Sequence, residues 1–273
     1  DLEKYIVARN YNGYDPYDAL MSPVFKLLSF DSKILRIFFT QFLKRSPINL
    51  RKLVGIEHHR SPKAIALMVG GYVDLYKLTN NTVWINKAEL LANWLIENQC
   101  TGYSGSCWGY EFDWQSRAFF VKKNTPSSVV TSFVIHSLID LYEVTGNEKM
   151  METLISSSNF YLNDLNKTYN GNSFCFSYTP IDTLMVHNAN LLCSGTLSRI
   201  QKVNKSVSFL DYIENSTNFS LDKQQYSGAW YYGEKEYQKW IDSFHTAYNL
   251  SSLESIKKVY KSNKIQQSIE KGK

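Results

Sequence analysis

A helical hairpin can be read in residues 62–98, which run PKAIALMVGGYVDLYKLTNNTVWINKAELLANWLIEN. In the first half, apolar side chains such as Ile65, Val69 and Val73 recur at a spacing near 3.6 residues, the period of an amphipathic helix. Proline at the first helical position favours a helix start, and the polar link 79–82 separates the second half, which repeats the rhythm. The stretch therefore predicts two paired helices, Pro62–Asn80 and Ile85–Asn98.

The same two-helix unit recurs along the chain. The apolar residues before successive turns, at positions 78, 144, 203 and 259, lie 66, 59 and 56 residues apart. A period near sixty with two helices per unit is typical of a repeat architecture. The predicted pairs are Ser127–Thr145 with Glu148–Asp164, Val186–Val203 with Lys205–Asn218, and Asp242–Val259 with a partner from Lys264 onward.

An N-terminal pair, Pro23–Ser29 and Lys33–Lys44, brings the number of hairpins to four or five. We therefore predict an all-α fold, an α/α toroid in which residues 1–273 form one domain. A closed ring of six hairpins needs more helices than this chain supplies. The expected toroid is incomplete.

The links between hairpins are long, whereas the turns inside them are short. Three links, Gln99–Thr125, Asn166–Met185 and Gln224–Ile241, are rich in Gly, Trp, Tyr and Asp, in a chain with 15% aromatic residues. Links that leave the same end of an inner helix layer gather at one rim, where loop-borne function is expected. We expect a binding cleft there.

Composition narrows the classes of partner and compartment. The net charge of +5 is spread over mixed signs, with part of the excess in Lys257–Lys273, which is typical of a solvated tail and predicts no nucleic-acid partner. No apolar run reaches the ~20 residues of a membrane span. The first residues show no signal peptide, although an initiator Met is absent. Four scattered cysteines favour a reducing, cytoplasmic compartment, and no motif predicts a metal or other cofactor. The oligomeric state stays open.

The first link carries the strongest candidate site, residues 108–117 (WGYEFDWQSR). Flat indole faces beside a carboxylate and a guanidinium suit a sugar, whose ring stacks while its oxygens are hydrogen-bonded. We assign Asp113 as an acid/base candidate and Trp108, Trp114 and Arg117 as sugar ligands. A packed loop with an Asp113 to Arg117 ion pair is the structural alternative.

The second link ends in another cluster at the start of a helix. We assign Tyr178, Asp182, His187 and Asn188 to substrate binding, and small residues after His187 suit an inner helix. His187 is either a proton carrier or a side chain that caps the helix or fills a gap.

The third link supplies Trp230 and leads into a helix whose first turns hold Asp242, His245 and Asn249. Asp242 is a second acid/base candidate, His245 an alternative proton carrier, and Trp230 and Asn249 are candidate sugar ligands. Helix capping is the structural alternative for Asp242. Two other sites are assigned no role: His136 is expected in the core, and the pair at 58–59 is expected to be solvated.

Three successive links thus place an acidic residue beside aromatics at the same point of the repeat, namely Asp113, Asp182 and Asp242. Convergent carboxylates divide the roles of acid and base in glycoside cleavage. Phosphate-loop, dinucleotide, zincin and serine-hydrolase motifs are absent from the sequence.

Four segments resemble a microbial family found near polysaccharide-biosynthesis genes, and the match spans nearly the whole chain. They are YDPYDAL at 14–20, RSPINLR at 45–51, FDWQSR at 112–117 and Trp240–Leu250. The resemblance implies membership of the six-hairpin glycosidase superfamily, with an architecture similar to N-acylglucosamine 2-epimerases and unsaturated glucuronyl hydrolases. It also implies a carbohydrate substrate and a role in polysaccharide biosynthesis.

Two further implications concern the family's labels and length. Some members carry a delta-aminolevulinate dehydratase label, but that enzyme class resembles a β/α barrel with paired Schiff-base lysines, which these residues do not support. Family members continue past this C-terminus into another hairpin. We therefore expect this chain to be truncated.

The leading functional hypothesis is a glycoside hydrolase-like enzyme that acts on an oligosaccharide or surface-polysaccharide unit. A sugar epimerase is the nearest rival, because epimerisation uses two proton carriers, for which His187 and His245 are candidates. The non-enzymatic rival is a sugar-binding or assembly protein of a polysaccharide locus.

Overall fold

The structure of the protein is a computed structural model. It describes residues 2–115 and 119–273. Three helices come first and are followed by four helical hairpins. The helices are α1 (Leu2–Val7), α2 (Pro23–Leu28), α3 (Lys33–Arg45), α4 (Pro62–Thr79), α5 (Thr82–Glu97), α6 (Ser128–Thr145), α7 (Glu148–Asn159), α8 (His187–Val203), α9 (Leu210–Leu221), α10 (Ser243–Ile256) and α11 (Asn263–Gly272).

Short elements complete the described chain. Single 3-10 turns cover Asp18–Met21 and Glu236–Gln238, and a π-helical turn, Phe160–Asp164, extends α7. Two small antiparallel ribbons lie in the links. They pair β1 (Trp114–Gln115) with β2 (Phe120–Val121), and β3 (Lys167–Asn170) with β4 (Ser173–Phe176). The predicted all-α class is confirmed.

The turns of the first two long hairpins are tight because each joins a helix C-terminus to an asparagine cap. α4 ends on Asn80 in the left-handed region (φ 53°), and Asn81 Oδ1 accepts the N–H of Val83 at 3.0 Å. In the next hairpin, Gly146 (φ 65°) and Asn147 repeat the device, with Lys149 N–H donating at 3.1 Å. Asparagine and glycine tolerate positive φ, and an asparagine side chain satisfies a free N–H at a helix start.

The helices form two layers. α4, α6, α8 and α10 pack side by side in chain order as an inner row, and each outer helix packs on its hairpin partner. α6 and α8 bury most of their residues. Close approach depends on small side chains: a Cβ added to Gly195 of α8 would meet Ser252 Cβ of α10 at 3.4 Å. The inner row is therefore tightly packed.

The structure matches the predicted helices within a few residues, with two differences. The second helix of the third hairpin begins at Leu210 instead of position 205, because Asn204 Oδ1 accepts hydrogen bonds from Ser206 N–H (3.0 Å) and Oγ–H (2.6 Å), which hold a turn there. The helix predicted to reach position 164 stays α-helical only to Asn159 and then widens into the π turn.

The N-terminal segment lies over the rim of the inner row. α3 contacts β1 of the first link, and Gly13 and His59 exchange backbone hydrogen bonds of 2.9 and 3.0 Å. Asp18 is buried in an ion pair with Arg51 Nε at 2.9 Å. Across the described residues, none of the helices is both long and apolar enough to cross a membrane.

Candidate functional site

The three links and the N-terminal segment together form an open cleft of about 1110 Å³. The predicted gathering of links at one rim is therefore observed. The cleft is lined by residues from all of them, including Tyr14, Asp15, His59, Lys63, Tyr110, Phe112, Trp114, Gln115, Tyr178, Tyr232, Trp240, Phe244 and His245.

One wall is a cluster of rings from the first and second links. The Trp114 indole lies 5.7 Å from the Tyr110 ring and 6.0 Å from the Tyr178 ring, measured between centroids. Burial raises the pKa of both tyrosines, so both phenols stay neutral. The wall offers flat apolar faces and uncharged hydroxyl groups, which suit the ring and hydroxyl groups of a sugar.

The third link adds a second set of rings. Tyr232 and Trp240 are stacked, with centroids 4.4 Å apart and ring planes 12° from parallel. The edge of His245 meets Tyr232 at 4.8 Å. His245 therefore lies in an aromatic setting on the lining of the cleft.

Asp242 holds His245 in place. Asp242 is the N-cap of α10, where Oδ1 accepts the backbone N–H of His245 at 2.8 Å and Oδ2 contacts the imidazole Nδ1 at 2.7 Å. Burial alone would raise the pKa of Asp242, but these hydrogen bonds outweigh it and lower the pKa. An ionised carboxylate fixes the tautomer with Nδ1 protonated, which leaves Nε2 as the nitrogen available to a substrate.

The lining also contains two charged groups that are partly removed from water, Asp15 of the N-terminal segment and Lys63 of α4. Burial raises the pKa of Asp15, although Oδ1 accepts the N–H of Tyr17 at 2.8 Å, and burial lowers the pKa of Lys63. The Lys63 ammonium lies 4.3 Å from the centroid of the Phe133 ring. Asp15 and Lys63 are close enough to interact electrostatically. Perturbed groups of this kind cluster at functional sites.

His59 is the other histidine of the cleft. Its ring meets Phe112 edge-on at 5.7 Å, and Nδ1 is buried without a hydrogen-bond partner among the described residues. The expectation that His59 is solvated is wrong, because the strand-like pairing with Gly13 draws it under the N-terminal segment. His58, the other member of the pair, is exposed.

Asp113 lies outside this lining. Its carboxylate is buried against Lys26 Nζ at 2.8 Å and accepts the backbone N–H of Lys123 at 2.9 Å. Burial would raise the pKa of Asp113, but these two partners outweigh it and lower the pKa. These contacts fasten the first link to α2.

Asp182 also serves its own link. Its two carboxylate oxygens accept the backbone N–H groups of Tyr178, Thr179 and Leu184 at 3.3, 2.7 and 2.9 Å. The Thr179 hydroxyl donates at 2.6 Å. The carboxylate thus organises the turn that presents Tyr178 to the cleft, and it does not itself line the cleft.

Trp108 and Trp230 occupy equivalent positions in the repeat and share one structural task. Both are buried, and each indole N–H donates to a carbonyl near the end of the preceding outer helix: Trp108 to Leu95 at 2.8 Å, and Trp230 to Ser220 at 2.7 Å. Carbonyls at a helix C-terminus lack partners within the helix. The two tryptophans therefore bind the C-terminal ends of the outer helices, and neither lines the cleft.

His187 is buried between two other elements. Nδ1 lies 3.1 Å from Ser220 Oγ of α9, and Nε2 lies 2.9 Å from Glu234 Oε1 of the third link. The hydrogen bond from His187, with help from Lys223, outweighs burial and lowers the pKa of Glu234. His187 and His245 are therefore not brought together in the cleft.

The remaining candidates are two buried amides and one arginine. Asn188 and Asn249 lie in inner helices, each with an Oδ1 that is buried and has no partner within residues 2–115 and 119–273. Neither lines the cleft. Arg117 lies outside the described residues. Within the described part of the chain, no group of three or more His, Cys, Asp or Glu side chains is arranged to hold a metal ion.

Of the predicted site residues, the structure brings Trp114, Tyr178 and His245 into one cleft. Three charged or titratable residues of the lining, Asp15, His59 and Lys63, were not predicted as site residues. Only Asp15 carried a signal, because it lies in the YDPYDAL segment of the family resemblance. His59 and Lys63 flank the start of α4 and reach the cleft only because the N-terminal segment folds back over it.

Comparison with solved structures identifies the fold. The chain is similar to a cellobiose 2-epimerase from Bacillus thermoamylovorans, with a TM-score of 0.61 and 12% identity over 94% of this chain and 73% of that one. It is also similar to a sugar epimerase from a ruminal bacterium, with a TM-score of 0.56 and 14% identity over 95% and 76% of the two chains.

A third similar structure is a glycoside hydrolase family 76 mannosidase from Bacteroides thetaiotaomicron, with a TM-score of 0.56 and 12% identity. The match covers 79% of this chain and 59% of the mannosidase, which is less than two thirds of its length. No family profile and no curated protein sequence matches the chain. The chain shares the α/α toroid fold of these structures, as the sequence predicts.

Proposed function

We propose that the protein is a carbohydrate-active enzyme that binds a sugar in the aromatic cleft and uses His245 to move a proton. The arrangement of His245 carries this proposal: Asp242 holds Nδ1 at 2.7 Å, and the ring lies on the cleft lining beside Tyr232. A histidine held by a carboxylate is the usual arrangement for general acid and base catalysis near neutral pH.

Among the described residues that line the cleft, the acid and base candidates favour epimerisation. They include two histidines, His59 and His245, but only one carboxylate, Asp15. Canonical glycoside hydrolysis needs a pair of carboxyl groups flanking the scissile bond, whereas epimerisation at a carbon next to a carbonyl needs one group to remove a proton and another to return it. His245 and His59 are our two proton carriers, so His59 takes the place that the sequence hypothesis gave to His187.

The binding roles follow from position. Trp114, Tyr178 and the stacked pair Tyr232 and Trp240 supply faces for sugar rings, and Asp15 with Lys63 supplies hydrogen bonds to hydroxyl groups. Similar folds in a cellobiose 2-epimerase, a sugar epimerase and a mannosidase support a carbohydrate ligand. The family resemblance supports a role in polysaccharide biosynthesis, and four free thiols support the cytoplasm as its compartment.

Solvent isotope labelling tests the reaction. Defined hexosamine and uronate oligosaccharides, with free reducing ends, are incubated with the protein in D2O, and the recovered sugars are analysed by NMR and mass spectrometry. Epimerisation by proton transfer predicts a new epimer carrying one deuterium at carbon. Deuterium incorporation that persists in the double variant His245→Gln, His59→Gln would overturn the assignment of carriers.

Glycoside hydrolysis is the second candidate, because burial raises the pKa of Asp15 as a general acid requires. It predicts shorter oligosaccharides without carbon-bound deuterium, and loss of cleavage in Asp15→Asn. Saturable binding of the same sugars by calorimetry, with neither product, would instead support the sugar-binding protein.

A further inference from the structure

The α2–α3 hairpin presents an apolar surface that nothing in the described chain covers. We call it the apolar face and define it by seven exposed side chains. Leu27, Phe30 and Ile34 are 74, 77 and 78% exposed, and Phe38 is 57% exposed. The face consists of Val24, Leu27, Leu28, Phe30, Ile34, Phe38 and Phe42.

On α3 the face forms a stripe along one side of the helix. Ile34, Phe38 and Phe42 recur every four residues along α3, which places them on one side of the helix, and the rings of Phe38 and Phe42 are stacked at 6.3 Å. The other side of the hairpin supplies the core, where Phe25 and Phe39 stack at 4.7 Å. Phe30 sits in the connection between the helices, at a positive φ of 45°.

The segment that begins with this hairpin is strongly basic. Residues 23–56 contain seven basic residues and one acidic residue, Asp31, a balance of +6 in a chain whose total is +5. Three of the basic residues have carboxylate partners: Lys26 with Asp113, Arg36 with Asp31, and Arg51 with Asp18. Of the other four, Lys44 and Arg45 line the cleft, where Lys44 Nζ donates to the Tyr17 hydroxyl at 2.8 Å. Lys33 and Lys52 are exposed and have no carboxylate partner among the described residues.

We propose that the apolar face docks on an anionic bilayer surface, with its aromatic and aliphatic side chains in the headgroup region and the unpaired cations against lipid phosphates. Basic helices with Phe and Leu on one side bind in this manner, through buried apolar area together with attraction to anionic lipids. A protein partner would bury the same apolar area but would not require the unpaired cations Lys33 and Lys52.

The apolar face lies on the same helix as part of the cleft lining, so docking would bring the cleft close to the membrane. α3 has two functional sides, since Ile37, Thr40 and Gln41 line the cleft while Ile34 and Phe38 are exposed. A docked membrane surface would therefore lie about one helix diameter, ~10 Å, from the cleft.

Vesicle sedimentation tests the proposal with the whole chain. The protein is mixed with vesicles of phosphatidylcholine alone or with 30 mol% phosphatidylserine, at ~0.1 M and ~0.5 M NaCl, which spans a large change in screening. We expect sedimentation with the anionic vesicles only, weaker at high salt. The double variant Phe30→Ser, Phe38→Ser should bind about tenfold more weakly or worse, and Lys33→Gln with Lys52→Gln about fivefold or more.

The control is Leu78→Ser, because Leu78 is 82% exposed at the far end of α4 and lies outside the face. It should bind as the parent protein does, and thermal unfolding should show that all variants fold. Absence of the parent protein from anionic vesicle pellets, or parent-like binding by the Phe30→Ser, Phe38→Ser variant, would overturn the proposal. So would a dimer in analytical ultracentrifugation that this variant dissociates, because the face would then belong to a second copy.

Discussion

Nδ1 of His245 lies 2.7 Å from Oδ2 of Asp242, the residue that also caps the helix carrying the histidine. One carboxylate thus performs two tasks: Oδ1 accepts a backbone N–H at 2.8 Å, and Oδ2 orients the ring. The rotamer of the proposed proton carrier is therefore fixed by the start of α10. In the sequence, capping and catalysis are alternatives for Asp242, whereas the geometry allows both at once.

Replacing His245 tests its proposed chemical role. His245→Gln should lower turnover by roughly 10²- to 10⁴-fold, the usual contribution of a general acid or base, while leaving the fold intact. Asp242→Asn should lower turnover to a similar extent, because the single amide oxygen caps the helix and the NH2 group then donates to Nδ1, which moves the imidazole proton to Nε2. Initial rates on the labelled sugar and a thermal melt of each variant measure both effects. Unchanged turnover in His245→Gln contradicts the assignment.

We expect Asp15 to lower the stability of the fold while it supports activity. Burial raises its pKa, so the ionised carboxylate is less favourable in the folded chain than in the unfolded chain. That unfavourable contribution is absent at a pH well below 3.8, develops as the pH rises, and is complete above the folded pKa.

At pH 7, Asp15→Asn should therefore have a higher melting temperature than the parent and a free energy of unfolding larger by up to about 1 kcal/mol. The gain should vanish at pH 3, and sugar turnover should fall. Glu57→Gln, which neutralises an exposed acid nearby, is the control and should change neither quantity. A lower melting temperature of Asp15→Asn at pH 7 would contradict the prediction.

Asp113 has the opposite effect on the stability of the fold. Its pKa is lowered in the folded chain by Lys26 and by the backbone N–H of Lys123, so it stabilises the fold above pH 3.8 and loses this effect as the pH falls through its folded pKa. Asp113→Asn should cost about 1 kcal/mol at pH 7 and nothing at pH 2, as melting curves at the two pH values would show. Because Asp113 lies outside the cleft lining, turnover per folded molecule should stay within a few fold. Abolished turnover would restore its catalytic assignment.

The fold was predictable because it depends on local signals. Apolar periodicity, a proline at the start of α4 and the Asn and Gly residues of the hairpin turns are all visible in the chain itself. His136 followed the same logic: it was expected in the core, where Nε2 contacts Thr196 Oγ1 at 3.0 Å and burial lowers its pKa to about 3. The late start of α9 was less predictable, because it depends on hydrogen bonds to the Asn204 side chain in the preceding turn.

The site was less predictable because its partners are distant in sequence. Asp113 pairs with Lys26, and His187 with Glu234, across 87 and 47 residues. An acid does recur at each link, but Asp113 and Asp182 hold their own links by accepting backbone N–H groups. Asp242 instead caps α10 and orients His245. Spacing alone does not distinguish an acid that fixes a loop from one that faces a substrate.

His187 separates the two histidine hypotheses. His187→Gln should destabilise the protein by about 1–3 kcal/mol, because Ser220 and Glu234 lose a buried partner. Turnover per folded molecule should change less than tenfold, since the residue does not line the cleft. Thermal unfolding and initial rates test this together. Complete loss of deuterium exchange in a folded His187→Gln protein would favour His187 over His59 as the second proton carrier.

Two glycines predict opposite effects of the same substitution. A Cβ on Gly109 would lie 2.0 Å from the carbonyl oxygen of Thr125, where the first link crosses the start of α6, so the backbone must shift. A Cβ on Gly71, inside α4, would meet nothing within 4 Å, and alanine there removes conformational entropy from the unfolded chain. Gly109→Ala should cost about 1–3 kcal/mol or more, whereas Gly71→Ala should gain about 0.5–1 kcal/mol. We expect the two melting temperatures to move in opposite directions and turnover to fall only in Gly109→Ala. This result would show that the first link depends on the close backbone approach. Equal shifts in melting temperature would show that it does not.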